Sequence, residues 1–329
     1  MQQYDKIPLS VSEQINKLER KGMVFKNAAE KEFAESFLTH NSYYRLSGYA
    51  FSFKDYKNSG QPFLPGTDFE SVFNLYLFDS ELRLLLMKAI SKIEIAFRTQ
   101  IINEYSTAHT GHWHLNSTLF KKSVIVKKGG IKDKKICIYV DYYSDFLNNL
   151  LRSMDRSREE FLIHYYKKYD YPEIPPSWMC LETLSFGDLS FLYKNLDETE
   201  GPKINVAKHF GLKTTHLMSK WIHNIHIVRN ICAHHGRLWN KSIPVDILNP
   251  ISIEQNVVNP FVNVIHQNPR NRSRLYSSIC CIQYLLDIIE KDNNFRDELK
   301  QLMIKLPASK RGEMGFVKNW DKEFFWNLK

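Results

Sequence analysis

Between Asp68 and Ser106 the chain runs for 39 residues without a glycine or a proline. Within that run Val72, Tyr76, Leu82, Leu85, Leu86, Ala89, Ile93, Ala96, Phe97 and Ile101 are apolar, mostly three or four residues apart. That period belongs to one face of an α-helix, and a single long amphipathic helix is predicted, with Asp68 as its N-cap. Asp79, Glu81, Arg83, Lys88, Lys92, Glu94 and Arg98 interrupt the apolar residues, so the run is not a membrane span. Asp79 and Arg83, spaced i and i+4, read as a surface salt bridge of about 0.3–0.5 kcal/mol.

Helical signals dominate elsewhere. Ser10-x-x-Glu13 is a capping box opening a short helix that ends at Gly22, and residues 28–40 read as a second helix. The aromatic-rich stretch 41–53 precedes a Gly- and Pro-punctuated loop, which separates a small N-terminal subdomain from the main body. Helices resume over 141–169. Ser177 reads as the cap of a helix broken at Phe186-Gly187-Asp188, and short helices follow at 189–196 and 203–209. A longer one is predicted over 216–235, capped by Thr214 or Thr215 and ended by Gly236 at the C′ position. After residue 240 the chain reads as loop-rich, then as helices over 274–290 and 295–304 and a basic, aromatic tail that docks on the body. The fold expected is mainly α, a helical bundle with a small N-terminal helical subdomain and one short β-hairpin insertion. Its divisions are 1–66, a core over 67–245 and a C-terminal extension over 246–329.

Hydrophobic residues make up 43% of the 329, enough for a substantial core and against wholesale disorder. The five cysteines (137, 180, 232, 280 and 281) are odd in number and form no C-x-x-C pair. They predict reduced thiols and a cytoplasmic protein, in keeping with a start that lacks the pattern of a secretory leader. The 45 Lys and Arg against 36 Asp and Glu leave a net charge of +9, which favours an anionic partner such as nucleic acid.

Residues 121–135 hold seven lysines and one aspartate, about two-thirds of that net charge. Two short β-like runs flank Gly129-Gly130, so a hairpin is expected within the insertion 121–136. Two readings stand side by side: a solvated loop, or a flap whose Lys121, Lys122, Lys127 and Lys128 contact phosphates.

The segment Lys220 to Asn240, KWIHNIHIVRNICAHHGRLWN, holds four of the twelve histidines. On a helix Leu217, Trp221, Ile225, Val228 and Cys232 form the core-facing stripe. His226, Asn230 and His234 share the opposite face, with His223, Arg229 and Arg237 nearby, and His235 turns toward the apolar side. Guanidinium and imidazole together suit phosphate chemistry: the fork binds phosphoryl oxygens, and the imidazole exchanges protons near neutral pH. In the last turn the helix dipole favours an imidazolium at His234. Alternatives remain: a packing helix whose histidines satisfy local carbonyls, a zinc site from His223, His226, Cys232 and His234, or a metal held by His109, His112 and His114. Nothing in the constellation requires a metal or another cofactor.

Arg229-Asn230-Ile231-Cys232-Ala233-His234 resembles the R-x4–6-H element of HEPN-type ribonucleases, small helical domains whose site combines that Arg, the polar residue after it and the His. The wider segment 229–240 is similar to its counterpart in the Abi-like (AbiD/AbiF) abortive infection proteins of bacteria. So are HNSYYRLSGYAF (40–51), residues 76–101 and 175–196, and the MGF-x3-W ending at 314–320. The resemblance runs in order over nearly the whole chain and extends to the nuclease domains of RNA-guided type VI CRISPR effectors.

The resemblance implies an antiphage or toxin-type protein acting as a metal-independent endoribonuclease, with Arg229, Asn230 and His234 as catalytic residues. Arg98 and His109, ten residues apart between them, do not make a second copy of the motif. Since two motifs face each other in such enzymes, a homodimer with a composite site is implied. RNA would also meet Arg45, Arg237, His226 and the four lysines of the insertion. Tyr43, Tyr44 and Tyr49 would either stack on bases or fill the core. Trp239 anchors the helix end. The competing reading is a non-catalytic protein that docks a structured or noncoding RNA, or one member of a toxin–antitoxin pair.

Overall fold

The glycine-free run is a single helix, α4 (Phe69–Ala108), with the Asp68 side chain capping the Ser71 amide at 2.7 Å. It is the spine of a computed structural model that describes residues 7–128, 136–243 and 273–327, without the side chains of 125–128 and 136–138. The molecule is mainly α. Three helices precede the spine: α1 (Val11–Arg20), α2 (Ala28–His40) and α3 (Tyr43–Ala50). The capping box expected at Ser10 and Glu13 forms.

Beyond the spine lie α5 (Tyr142–Arg156), α6 (Glu160–Lys168), a single turn α7 (Ser177–Cys180), α8 (Phe186–Asn195), α9 (Gly201–His209) and α10 (Thr215–Ala233). After residue 273 come α11 (Leu275–Ile289), α12 (Phe295–Ile304) and α13 (Ala308–Glu313). Helices α3, α9, α10, α11 and α12 all pack on α4, and α8 packs on α10. Phe97 of α4 meets Phe186, Tyr193 and Phe210 edge-on or tilted, which ties α8 and α9 to the spine. The tail docks as expected: Trp320, Phe325 and Trp326 are buried, and Trp326 Nε1 donates to Tyr276 Oη at 2.8 Å.

The hairpin is present. Strands β1 (Val124–Lys128) and β2 (Ile136–Val140) pair antiparallel, Val124 opposite Val140 and Lys128 opposite Ile136. The Gly129-Gly130 turn and, of the loop-rich stretch expected after residue 240, residues 244–272 lie outside the described residues.

Three local expectations change. Phe186-Gly187-Asp188 opens α8 instead of breaking a helix, because Ser185 and Asp188 close a capping box there. Ser177 does not cap; Pro176 takes the N-cap position and Ser177 is the first residue of α7. Asp79 and Arg83 are not a surface pair: Asp79 is wholly buried and Arg83 is 6% exposed. They stand within the apolar stripe of α4, where a charge persists only with partners.

Candidate active site

Helix α10 presents the predicted core stripe, with Trp221, Ile225, Val228 and Cys232 buried and Leu217 packed against the core. Its other face carries a connected polar row. Asn230 Nδ2 lies 2.7 Å from His226 Nε2, so the amide donates and that ring nitrogen accepts. Asn230 Oδ1 accepts from Arg229 at 3.3 Å, and Arg229 Nε lies 3.8 Å from Glu94 of the spine. Glu94 also binds Arg98 at 3.2 Å, and Arg98 donates to the Leu184 carbonyl at 2.9 Å and pairs with Glu182 at 3.5 Å. Arg98 thereby spans α4 and the entry to α8.

The acceptor role of Nε2 makes His226 a neutral imidazole protonated at Nδ1. Burial pushes its pKa below the usual histidine range, and His223 and Arg229 add to that against Asp188. His223 is lowered in the same way, by burial and by Lys194. Helix α8 closes over the His226 ring: a Cβ added to Gly187 would stand 2.8 Å from its Nε2, and Phe186 meets the ring edge-on. Glycine at 187 is therefore what lets the two helices approach.

The helix ends one residue away from the expected arrangement. His234 is the C-cap, and His235, not Gly236, takes the left-handed C′ conformation with φ +54°. His235 N–H bonds to the Cys232 carbonyl at 3.0 Å and Gly236 N–H to the Ile231 carbonyl at 2.8 Å, the paired bonds of a Schellman turn. Gly236 serves the turn by its size, since a Cβ there would sit 3.2 Å from Ile231 Cγ2 and from the Ile231 carbonyl. Both histidine side chains are exposed, so His235 does not turn into the core.

This turn is fastened from two sides. Arg45 of α3 donates to the His235 carbonyl, Arg83 to the Gly236 carbonyl at 3.4 Å, and Arg237 to the Gly48 carbonyl. Asp79 accepts the Leu238 amide at 3.1 Å, the Trp239 amide, the Tyr49 hydroxyl at 2.6 Å and the Arg83 guanidinium. Burial pushes the Asp79 carboxyl up, while those four donors pull toward the carboxylate. Trp239 is buried, the anchor that was expected. Ser42, Tyr44, Arg45, His234, His235 and Arg237 then line an open groove of about 370 Å³ between α3 and the end of α10.

The structure thus brings Arg229, Asn230 and His226 into one bonded row, with His234 just beyond it at the groove. Arg45, Arg237 and His234 border that groove, although both arginines also brace the turn. Lys121 binds Glu198 at 2.5 Å and the Lys194 carbonyl at 2.6 Å, and Lys122 is exposed; the side chains of Lys127 and Lys128 lie outside the described residues. Of the N-terminal tyrosines, Tyr49 is core and Tyr44 is 76% exposed. Among the described residues no group of three or more His, Cys, Asp or Glu is placed to hold a metal ion.

Glu94, Gly187 and Asp79 were not singled out for the site by sequence reasoning. A signal was available for Asp79, which lies three residues from both Tyr76 and Leu82 and so on the apolar stripe, although its spacing from Arg83 reads as a surface salt bridge. Gly187 and Glu94 acquire their roles only when α8 and α4 meet α10.

The fold and this bonded row define a helical-bundle protein with an Arg–Asn–His face at the end of a core helix. The family model described as Abi-like protein matches residues 36–240, and the chain belongs to that family, the abortive infection proteins of bacteria. No curated protein and no solved structure matches it. Among the described residues, no helix is long and apolar enough to cross a membrane.

Proposed function

We propose that the protein is a HEPN-type endoribonuclease that cleaves RNA by attack of the ribose 2′-hydroxyl on the adjacent phosphate. One observation carries the reading: an exposed His234 follows directly on the row Arg229–Asn230–His226 and opens onto a groove. His234 removes the proton of the 2′-hydroxyl or gives one to the leaving 5′-oxygen, and the same histidine of a second copy takes the other role. Arg229 stabilises the doubly negative phosphorane; its contacts to Asn230 and Glu94 leave some of its five donors for phosphate oxygens. Asn230 holds the guanidinium on one side and His226 on the other, so His226 acts as a positioning residue. Scission proceeds without a metal, and the acid–base pair contributes roughly 10²–10⁴-fold.

The test is an RNA oligonucleotide beside its all-2′-deoxy counterpart, in EDTA. Cleavage of the RNA alone, leaving 2′,3′-cyclic phosphate ends, is expected. Equal cleavage of the deoxy strand would refute attack by the 2′-hydroxyl. Sedimentation under the same conditions should show a dimer that carries the activity.

A further inference from the structure

A second groove, of about 530 Å³, opens beside the first and shares Tyr44 with it. Lys17 of α1, Lys21 at its C-cap, Lys54, and Tyr43 and Tyr44 of α3 line it. Among the described residues none of these three lysines forms an ion pair. The Lys17 ammonium stands 5.7 Å over the Tyr43 ring, and Lys21 reaches the Gly60 carbonyl at 3.4 Å. The acids of α1 are engaged elsewhere: Glu13 closes the capping box, and Glu19 binds Lys31 at 3.0 Å. Three cations gathered without a carboxylate among the described lining residues repel one another, and the ammonium of Lys54 is lowered by burial and then by Lys21 and Lys17. Such an arrangement is relieved by an anion that spans all three.

We propose that this groove is the track for single-stranded RNA, delivering it past Tyr44 to His234. The choice of RNA as the polyanion rests on the nuclease reading. Phosphates would meet Lys17, Lys21 and Lys54, all three of which line the groove. Tyr44, 76% exposed and shared by the two grooves, would take an unpaired base on its face where they join. A duplex offers no free base face, and an acidic protein has no need of an exposed ring beside the cations. The α3 helix then has two tasks, since the residue after Tyr44 is Arg45, which fastens the His234 turn.

The test uses the full chain and a fluorescent 2′-O-methyl oligouridylate, which lacks the attacking hydroxyl and so reports binding apart from cleavage. Lys17→Gln/Lys54→Gln should lose about tenfold in affinity, and its plot of log affinity against log salt should flatten by about 1.4, roughly 0.7 for each phosphate contact. Tyr44→Ala should lose about tenfold with the slope unchanged. Removal of the same charge from α6, as Lys167→Gln/Lys168→Gln, should cost less. Thermal melting checks that each variant is folded. The track is refuted if the folded double variant binds as tightly as the wild type or no worse than the α6 variant, or if polyglutamate competes as well as the oligonucleotide. Binding that depends on these lysines in a protein that cleaves no RNA would support the track and overturn the nuclease reading alone. RNA cleavage in a protein whose binding ignores them would do the reverse.

Discussion

Asp79 Oδ2 lies 3.1 Å from the backbone nitrogen of Leu238, joining the first third of the spine to the turn that carries His234. The same carboxylate takes the Trp239 amide, the Tyr49 hydroxyl and Arg83, so a group fully withdrawn from water fixes the position of the turn. Asp79→Asn keeps the shape but turns an amide N–H₂ toward donors. It should cost about 3–5 kcal/mol, the range for breaking a buried ion pair. Denaturant melts should show that loss, and amide exchange at residues 236–239 should accelerate more than in α2. An unchanged melt would show that the carboxylate is dispensable.

Gly187→Ala tests the contact between α8 and α10. The residue lies in the first turn of α8, where the helix preference of alanine over glycine, at most about 1 kcal/mol, offsets the cost of shifting the His226 ring, so global stability should change little. The new methyl would meet His226 Nε2, displacing the ring from Asn230. Nitrogen chemical shifts of His226 should then lose the pattern of a single tautomer, and RNA cleavage should fall about tenfold or more. Preserved shifts and activity would contradict the positioning role of His226.

Glu94→Gln tests the anchoring of Arg229. Glu94 is shared between Arg229 and Arg98, and its side chain is 16% exposed. Without its charge the Arg229 guanidinium should wander, lowering kcat about tenfold while KM changes little, because the interaction matters chiefly in the transition state. A rise in KM alone would instead place Glu94 on the path of substrate binding.

His114 sets a pH dependence of folding. It is fully buried, and its imidazole is pushed down to about 4, first by burial and then by His112, against the Pro175 carbonyl. Between pH 6.5 and 4 the unfolded chain binds a proton that the native state refuses, so stability rises with pH across that window. Acidification through it should remove about 3 kcal/mol. His223 and His226, also lowered, act in the same direction. Glu198 behaves differently: burial raises it, but Lys121, Thr215 and Lys203 bring it down to about 2, so its contribution is lost only below the ordinary glutamate range. His114→Phe should flatten urea midpoints between pH 6.5 and 4, and an unchanged slope would contradict this assignment.

The elements that local chemistry specifies were legible in the sequence: α4 and its Asp68 cap, the Ser10–Glu13 box, α2, the β1–β2 pairing and the core stripe of α10. So was the tie between His226 and Asn230, because i and i+4 on a helix must meet. The arrangement around them was not. Whether Asp79 and Arg83 face water depends on what packs on α4, and the turn 236–239 that surrounds them is distant in sequence. Gly236 looked like the C′ residue because glycine favours positive φ, yet contact with Ile231 demands it one position later and leaves His235 in the left-handed conformation. The basic insertion drew attention by its density of charge, whereas Lys17, Lys21 and Lys54 are brought together only by the fold.

The most direct test of the central claim is the cleavage of total bacterial RNA by the purified protein in EDTA, beside His234→Ala. The account predicts fragments ending in 2′,3′-cyclic phosphate from the wild type and a loss of at least 10²-fold in the variant, which should keep its melting temperature because His234 is exposed. Equal cleavage by the two proteins, or none by a dimeric wild type supplied with RNA, would contradict it.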